Sequence, residues 1–184
     1  MIKPHNRAEL SFDLVEEIGQ DGKNSHVFKA FDHQLEAEIV IKQIEKTHLI
    51  DSDDYFREAS ILYLGSHPSI VPIYYACEDE NSIFLAMPFY PKGSLNKIID
   101  SRFLTVREII SLGTNFLSGL HNIHSKRLIH FDIKPDNILI SERNEAHLTD
   151  FGLAKKAAFD GAEQDRVYGR MAPPEYFEKG DKYT

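Results

Sequence analysis

The residues best equipped for chemistry sit close together. Asp132, Lys134 and Asn137 fall within the eight-residue run His130-Phe131-Asp132-Ile133-Lys134-Pro135-Asp136-Asn137, and Asp150 follows thirteen positions after Asn137. The amide of Asn137 and the carboxylate of Asp150 are hard oxygen ligands suited to a divalent metal. Asp132 is then left to accept a proton from an incoming hydroxyl. Apolar residues frame the run, Leu128-Ile129 before it and Ile138-Leu139-Ile140 after it. This pattern predicts a tight loop between two short strands, with Leu148-Thr149-Asp150 returning the chain to the same place.

A loop of this kind needs a platform. Ile109, Leu112, Phe116, Leu117, Leu120 and Ile123 recur at helical spacing, which predicts a long core helix over 104–125 that delivers the chain to the loop. His121 and His124 lie three apart on it, but no cysteine or carboxylate cluster accompanies them, so structural roles outweigh a metal site.

His130-x-Asp132-x-Lys134-Pro135-x-Asn137 followed by Asp150-Phe151-Gly152 resembles the catalytic loop and metal-binding motif of eukaryotic-type serine/threonine protein kinases. His-x-Asp alone is common; the whole set at this distance is specific, and an acidic strand cap would fill only one of its roles. The resemblance implies an α+β, protein-kinase-like two-lobe fold. Its N-lobe would be an antiparallel β-sheet with one main helix, followed by the first part of a mainly helical C-lobe. The implied divisions are a lead-in at 1–11, the N-lobe at 12–87, a hinge at 88–93 and a partial C-lobe at 94–184. ATP and Mg²⁺ are the implied cofactors and a protein the implied substrate. Asp132 would orient the substrate hydroxyl, Lys134 would offset charge on the transferring phosphoryl, and Asn137 and Asp150 would hold the metal. Lys134 at this position is similar to serine/threonine kinases rather than tyrosine kinases.

The earlier half of the chain supplies the rest of the pattern. Phe12–Ile18 and Ser25–Phe31 are strand-like around the turn-rich link 19–25. That link would be an ordinary hairpin turn by itself. Beside the downstream motif it resembles the glycine-rich loop over nucleotide phosphates, with Gln20, Gly22 and Ser25 at the expected glycine positions and Gly19 one place early. Glu38-Ile39-Val40-Ile41-Lys42 predicts a third strand, with Val40 and Lys42 on one face and Ile39 and Ile41 on the other. A strand lysine is ordinarily solvated; here Ile-Val-Ile-Lys resembles the kinase motif whose lysine contacts the α- and β-phosphates. Asp51-Ser52-Asp53-Asp54 suits a helix N-terminus and predicts a helix to about Leu64, with Ala59, Leu62 and Tyr63 facing inward. The resemblance makes Glu58 the ion-pair partner of Lys42, against the simpler reading in which it pairs with Arg57 or water. Val71–Cys77 and Ile83–Met87 predict two further strands before the hinge-like 88–95. Pro88 keeps a carbonyl but lacks an N–H, so it could still accept from adenine while the Tyr90 N–H donates. Nucleotide contacts are thus implied for Gly19, Gly22, Ser25, Val27, Val40, Lys42, Met87, Pro88, Tyr90 and Leu139. Plain core packing explains Met87 equally well.

Composition bounds the class. Of 184 residues, 42% are hydrophobic and 27% charged, as in a globular protein. The net charge of −8 argues against a general nucleic-acid binder. Cys77, the single cysteine, reads as a small core residue in a reducing compartment. With no long apolar run and no signal-peptide core, the expectation is a cytoplasmic chain without a membrane span.

Three departures from the family qualify the resemblance. Phe131 replaces the arginine usual between His and Asp, and no serine or threonine occurs from Asp150 to Glu175, where Tyr168 is the sole hydroxyl. Activity without Ser/Thr phosphorylation of this segment is the expectation. Pro173-Pro174-Glu175 is similar to the Ala-Pro-Glu motif. The resemblance stops near Glu175, so either the chain is a fragment or a partner or dimer mate covers the underside of the long helix. An active protein kinase, a nucleotide-binding pseudokinase or scaffold, and a small-molecule phosphotransferase are the three functions weighed; the filled charged positions and Lys134-Pro135 favour the first.

Overall fold

Alternating apolar and polar residues, many β-branched or aromatic, set the strands of the N-terminal half. In the computed structural model, which describes residues 11–20, 25–46, 57–152, 154–156, 162–163 and 182–183, five strands form one sheet. They are β1 (Phe12–Gln20), β2 (Ser25–Asp32), β3 (Ala37–Glu45), β4 (Tyr75–Glu78) and β5 (Ser82–Pro88), ordered β1-β2-β3-β5-β4 with every neighbour antiparallel. The chain divides into two compact units, Met1–Asp51 with Tyr74–Phe89 and Ser52–Ile73 with Tyr90–Thr184. In the first, Ile39 and Ile41 are fully buried with Ala30 and Ala86, and Phe12, Tyr75 and Phe84 pack around them. The alternation expected of β3 is therefore present.

A buried carboxylate closes the β2–β3 turn. Asp32 Oδ1 accepts the N–H groups of Gln34 and Leu35, each at 2.8 Å, and Oδ2 accepts the Tyr75 hydroxyl at 2.8 Å. The Leu35 N–H is the largest influence holding this carboxyl below its usual range, with burial opposing it. Burial and then Asp32 push the Tyr75 hydroxyl upward.

The second unit holds α1 (Arg57–Leu64), α2 (Leu95–Ser101), α3 (Val106–Ser125) and the short strands β6 (Leu128–Ile129), β7 (Ile138–Ile140), β8 (Ala146–Leu148) and β9 (Lys155–Lys156). β7 pairs with β8 and β6 with β9. Their core is Ile61, Ile70, Leu112, Ile123, Leu128, Ile140, Leu148 and Phe151. A capping box starts α3: Thr105 Oγ1 accepts the Glu108 N–H at 3.2 Å and Glu108 accepts the Thr105 N–H at 2.8 Å. Arg102 grips the same carboxylate at 2.6 and 3.1 Å and is the main reason its pKa falls to about 2. Further along, a Cβ on Gly119 would meet Ser69 O at 2.8 Å, so only glycine lets the helix approach that backbone.

The structure corrects several expectations. α2 was not expected, and α3 begins at Val106 because Thr105 caps it. Leu117 is 60% exposed, well round the helix from the Leu112–Gly119–Ile123 stripe, and Ile109 is 55% exposed one turn before it. On α1, Ile61 is buried while Tyr63, two residues and about 200° further round, is 77% exposed. The side chains of Glu58, Ala59 and Leu62 lie outside the described residues. Val71–Cys77 is not one strand, because the Val71 N–H donates to Leu148 O at 2.9 Å and Pro72 has none to give. Cys77 is only half-buried, since β4 is an edge strand, and partial burial raises its thiol pKa.

Candidate active site

Two short strands hold the ends of the polar run, β6 before it and β7 after it. Between them Pro135 opens a single 3₁₀ turn, Pro135–Asn137, at a position where a missing N–H costs nothing. The Asn137 N–H donates to Lys134 O at 3.0 Å and folds the loop back on itself. Asp132 is thereby met from two sides. Its Oδ2 accepts Lys134 Nζ at 2.7 Å and Asn137 Nδ2 at 2.8 Å, and the same Nδ2 reaches Asp132 O at 2.9 Å. Asp132 is only 8% exposed, yet among the described residues no hydrogen bond occupies Oδ1. One oxygen is fixed and the other is available to accept a proton.

His130 ties this loop to the segment after β8 that carries Asp150. The ring is buried, and its Nε2 donates to Thr149 O at 2.9 Å while its Nδ1 accepts the Asp132 N–H at 3.2 Å. Those two bonds define the neutral Nε2–H tautomer, and burial lowers the ring's pKa, which favours the same form. Phe151 packs on it with ring centroids 4.6 Å apart and is itself fully buried. The Thr149 N–H donates to Asn137 O at 3.0 Å, so both backbone groups before Asp150 are anchored to the loop. Phe131 and Asp150 have φ of 65° and 60°. An aspartate tolerates that region well; a phenylalanine is strained there, at a cost of about 1–2 kcal/mol.

Asn137 uses its side-chain nitrogen in these bonds, which leaves its amide oxygen as the atom able to ligate a cation. One amide oxygen and one carboxylate fit Mg²⁺, which takes few protein ligands and completes its shell with water and substrate phosphate. Among the described residues no group of three or more His, Cys, Asp or Glu is placed to hold a metal ion.

In the sheet unit, register aligns the remaining candidates. Val27 pairs with Lys42 and with Gly19, Lys42 with Leu85, and Val40 with Met87. Lys42 and Met87 are buried, at 5% and 7% exposure. A Cβ on Gly19 would make only ordinary contact with Val27 at 3.8 Å. Ser25 is buried and its hydroxyl has no partner among the described residues, a donor suited to an anionic oxygen. Gly22, Tyr168 and Pro173 lie outside the described residues, as does the side chain of Glu58. Pro88 ends β5 opposite Ile39. In the second unit Tyr90 O accepts the Gly93 N–H, Gly93 O accepts the Ile140 N–H at 2.9 Å, and Leu139 pairs with His147. Spacing and residue type alone give His130 and Thr149 no task. The histidine's place two residues before a buried aspartate was the available signal.

An antiparallel sheet bearing a buried strand lysine, with a second unit whose loop presents a fixed aspartate, lysine and asparagine beside Asp-Phe-Gly, is a kinase-like α+β arrangement. The chain belongs to the protein kinase domain family, which matches residues 12–184. Its relatives include both specificities by name. Tyrosine-protein kinase Src64B of Drosophila melanogaster is 36% identical over 109 residues, 58% of this chain and 20% of that protein. Probable serine/threonine-protein kinase samkA of Dictyostelium discoideum is 35% identical over 124 residues, 66% of this chain and 19% of that protein. Another probable serine/threonine-protein kinase of Dictyostelium discoideum is 28% identical over 159 residues, 84% of this chain and 35% of that protein. The chain thus spans about a fifth to a third of the length of these relatives.

Proposed function

We propose that this chain is an ATP- and Mg²⁺-dependent protein kinase acting on serine and threonine hydroxyls. The observation that carries the reading is Asp132: Lys134 and Asn137 fix one of its oxygens, and the other is left for a hydroxyl. In this mechanism Asp132 Oδ1 accepts the substrate's hydroxyl proton as the hydroxyl oxygen attacks the γ-phosphorus of ATP. The bond to the β–γ bridging oxygen breaks, and ADP leaves with the electron pair. Lys134 stays beside Asp132 and offsets charge on the transferring group. Lys42 positions the α- and β-phosphates, the role that the resemblance gives it together with Glu58. The turn around Gly19, Gly22 and Ser25 covers the phosphates, while Val27, Val40, Met87, Pro88, Tyr90 and Leu139 hold the base and sugar. Asn137 and Asp150 would hold Mg²⁺, which would supply neutralisation of the phosphate charge. Positioning and electrostatics supply the acceleration.

Lys134 and the serine/threonine-kinase relatives support hydroxyl specificity of that type; Src64B, a tyrosine kinase by name, makes it the point to test. Transfer of ³²P from labelled ATP to a generic protein, followed by phosphoamino-acid analysis, is expected to give phosphoserine or phosphothreonine. Asp132→Ala is expected to abolish it. Label on tyrosine would reassign the specificity, and label that persists in Asp132→Ala would remove the mechanism. Phe131 and the absence of Ser or Thr from Asp150 to Glu175 support activity without Ser/Thr phosphorylation of that segment. Tyr168→Phe is expected to keep most activity. No helix among the described residues is long and apolar enough to cross a membrane, and a cytoplasmic location is part of this proposal.

A further inference from the structure

His147 is a polar residue that the catalytic arrangement does not use. It occupies the middle of β8, between Ala146 and Leu148, whose side chains enter the core. Alternation turns His147 to the opposite face, where Leu139 of β7 is its cross-strand partner. The Tyr90 ring packs against it with centroids 5.1 Å apart and planes tilted by 53°. Both ring nitrogens are shut off from water, and the Pro68 carbonyl lies close enough to act on the ring as a hydrogen-bond acceptor. An imidazole so placed gives up its hydrogen bonds to water for at most one weak backbone contact, which is costly unless its shape is needed.

We propose that His147 is a positioning residue of the nucleotide site, acting through Tyr90 and Leu139. The inference rests on the reading above, in which those two residues contact the nucleotide. His147 fills the space behind both and fixes the tilt of the tyrosine ring and the height of the leucine. The same strands are held at their other end by Lys92, whose Nζ donates to Glu142 O at 2.8 Å and Asn144 Oδ1 at 2.6 Å. The post-hinge segment is thus fixed to the β7–β8 hairpin by a lysine at the turn and a histidine at mid-strand.

The prop works as the neutral ring. Burial is the main influence lowering its pKa, while Glu145 and the Pro68 carbonyl act in the other direction. Tyr90 is the titratable group packed on it from the post-hinge segment, and Glu145 is the charged one. Protonation therefore favours conformers in which the ring leaves Tyr90 for water, and nucleotide binding opposes that departure.

Calorimetry with the full chain tests this, using MgATP at neutral pH and adenosine for the pH series. His147→Ala is expected to weaken MgATP binding about three- to tenfold and raise KM for ATP to match, with kcat little changed. His147→Phe, which keeps an aromatic ring of suitable size, is expected to recover most of that loss and to fold where alanine does not. Wild-type affinity for adenosine is expected to fall as pH drops below the ordinary histidine range, with His147→Phe showing a flatter profile. MgATP affinity of His147→Ala within twofold of wild type would overturn the proposal, as would a His147→Phe profile that parallels wild type. Wild-type protein that binds no nucleotide would remove the functional reading and this inference together; wild-type binding with indifferent variants removes this inference alone.

Discussion

The β2–β3 turn and the loop between β6 and β7 each bury an aspartate, and they use it differently. Asp32 is fully buried and both of its oxygens are engaged, by two backbone N–H groups and the Tyr75 hydroxyl. Asp132 is 8% exposed, with two donors on one oxygen and none among the described residues on the other. The first carboxylate is satisfied and holds a turn. The second is oriented but incompletely satisfied, which is the condition a general base requires. Burial alone would not separate them; the unfilled acceptor does.

Replacing each aspartate is the sharpest way to break that comparison. Asp132→Asn is expected to cut phosphoryl transfer by about 10²- to 10⁴-fold while the melting temperature stays close to wild type. Asp32→Ala reverses the pattern, costing on the order of 3 kcal/mol in denaturant titrations while the remaining folded protein keeps its turnover. If Asp132→Asn unfolds the protein as readily, the loop aspartate is structural and the distinction fails.

Acid titration sharpens it further. Asp32 has a folded pKa below its unfolded value of about 4, so its contribution is fully present above that value and is lost as pH falls through the folded pKa. Urea midpoints measured between neutrality and about pH 3 should therefore fall less steeply in Asp32→Asn than in wild type.

Two smaller effects probe the platform under the loop. Gly119→Ala places a methyl against Ser69 O and should cost about 1–3 kcal/mol, read from thermal melts. Thr105→Ala removes the cap of α3 and should cost about 1 kcal/mol, with activity per folded molecule unchanged. A larger loss of activity than of stability in either variant would show that α3 sets the loop's geometry as well as supporting it.

Much of this was legible in the chain because the relevant signals are local. Two-residue alternation placed β3 and the faces of Ile39 and Lys42. The spacing of Asp132, Lys134 and Asn137 fits one turn, so their meeting required little beyond Pro135 and two flanking strands. Other features depended on distant partners. Tyr63 and Leu117 are apolar enough for a core, yet the helices turn them outward because Ile61, Leu112 and Ile123 take the buried stripe. Val71 looked like a strand residue, but its N–H went to Leu148. α2 went unseen because its seven residues bury none of their side chains fully.

The sequence by itself determined which groups could do chemistry, since residue type and short-range spacing are covalent facts. Through the motif it resembles, it also places Phe131 at the position where an arginine is usual. Only the tertiary structure decided which oxygen of Asp132 remains open, which nitrogen of His130 carries the proton, and that the His147 ring packs against Tyr90. Each of those depends on a hydrogen bond or contact between segments far apart in the chain, and no local pattern encodes its geometry.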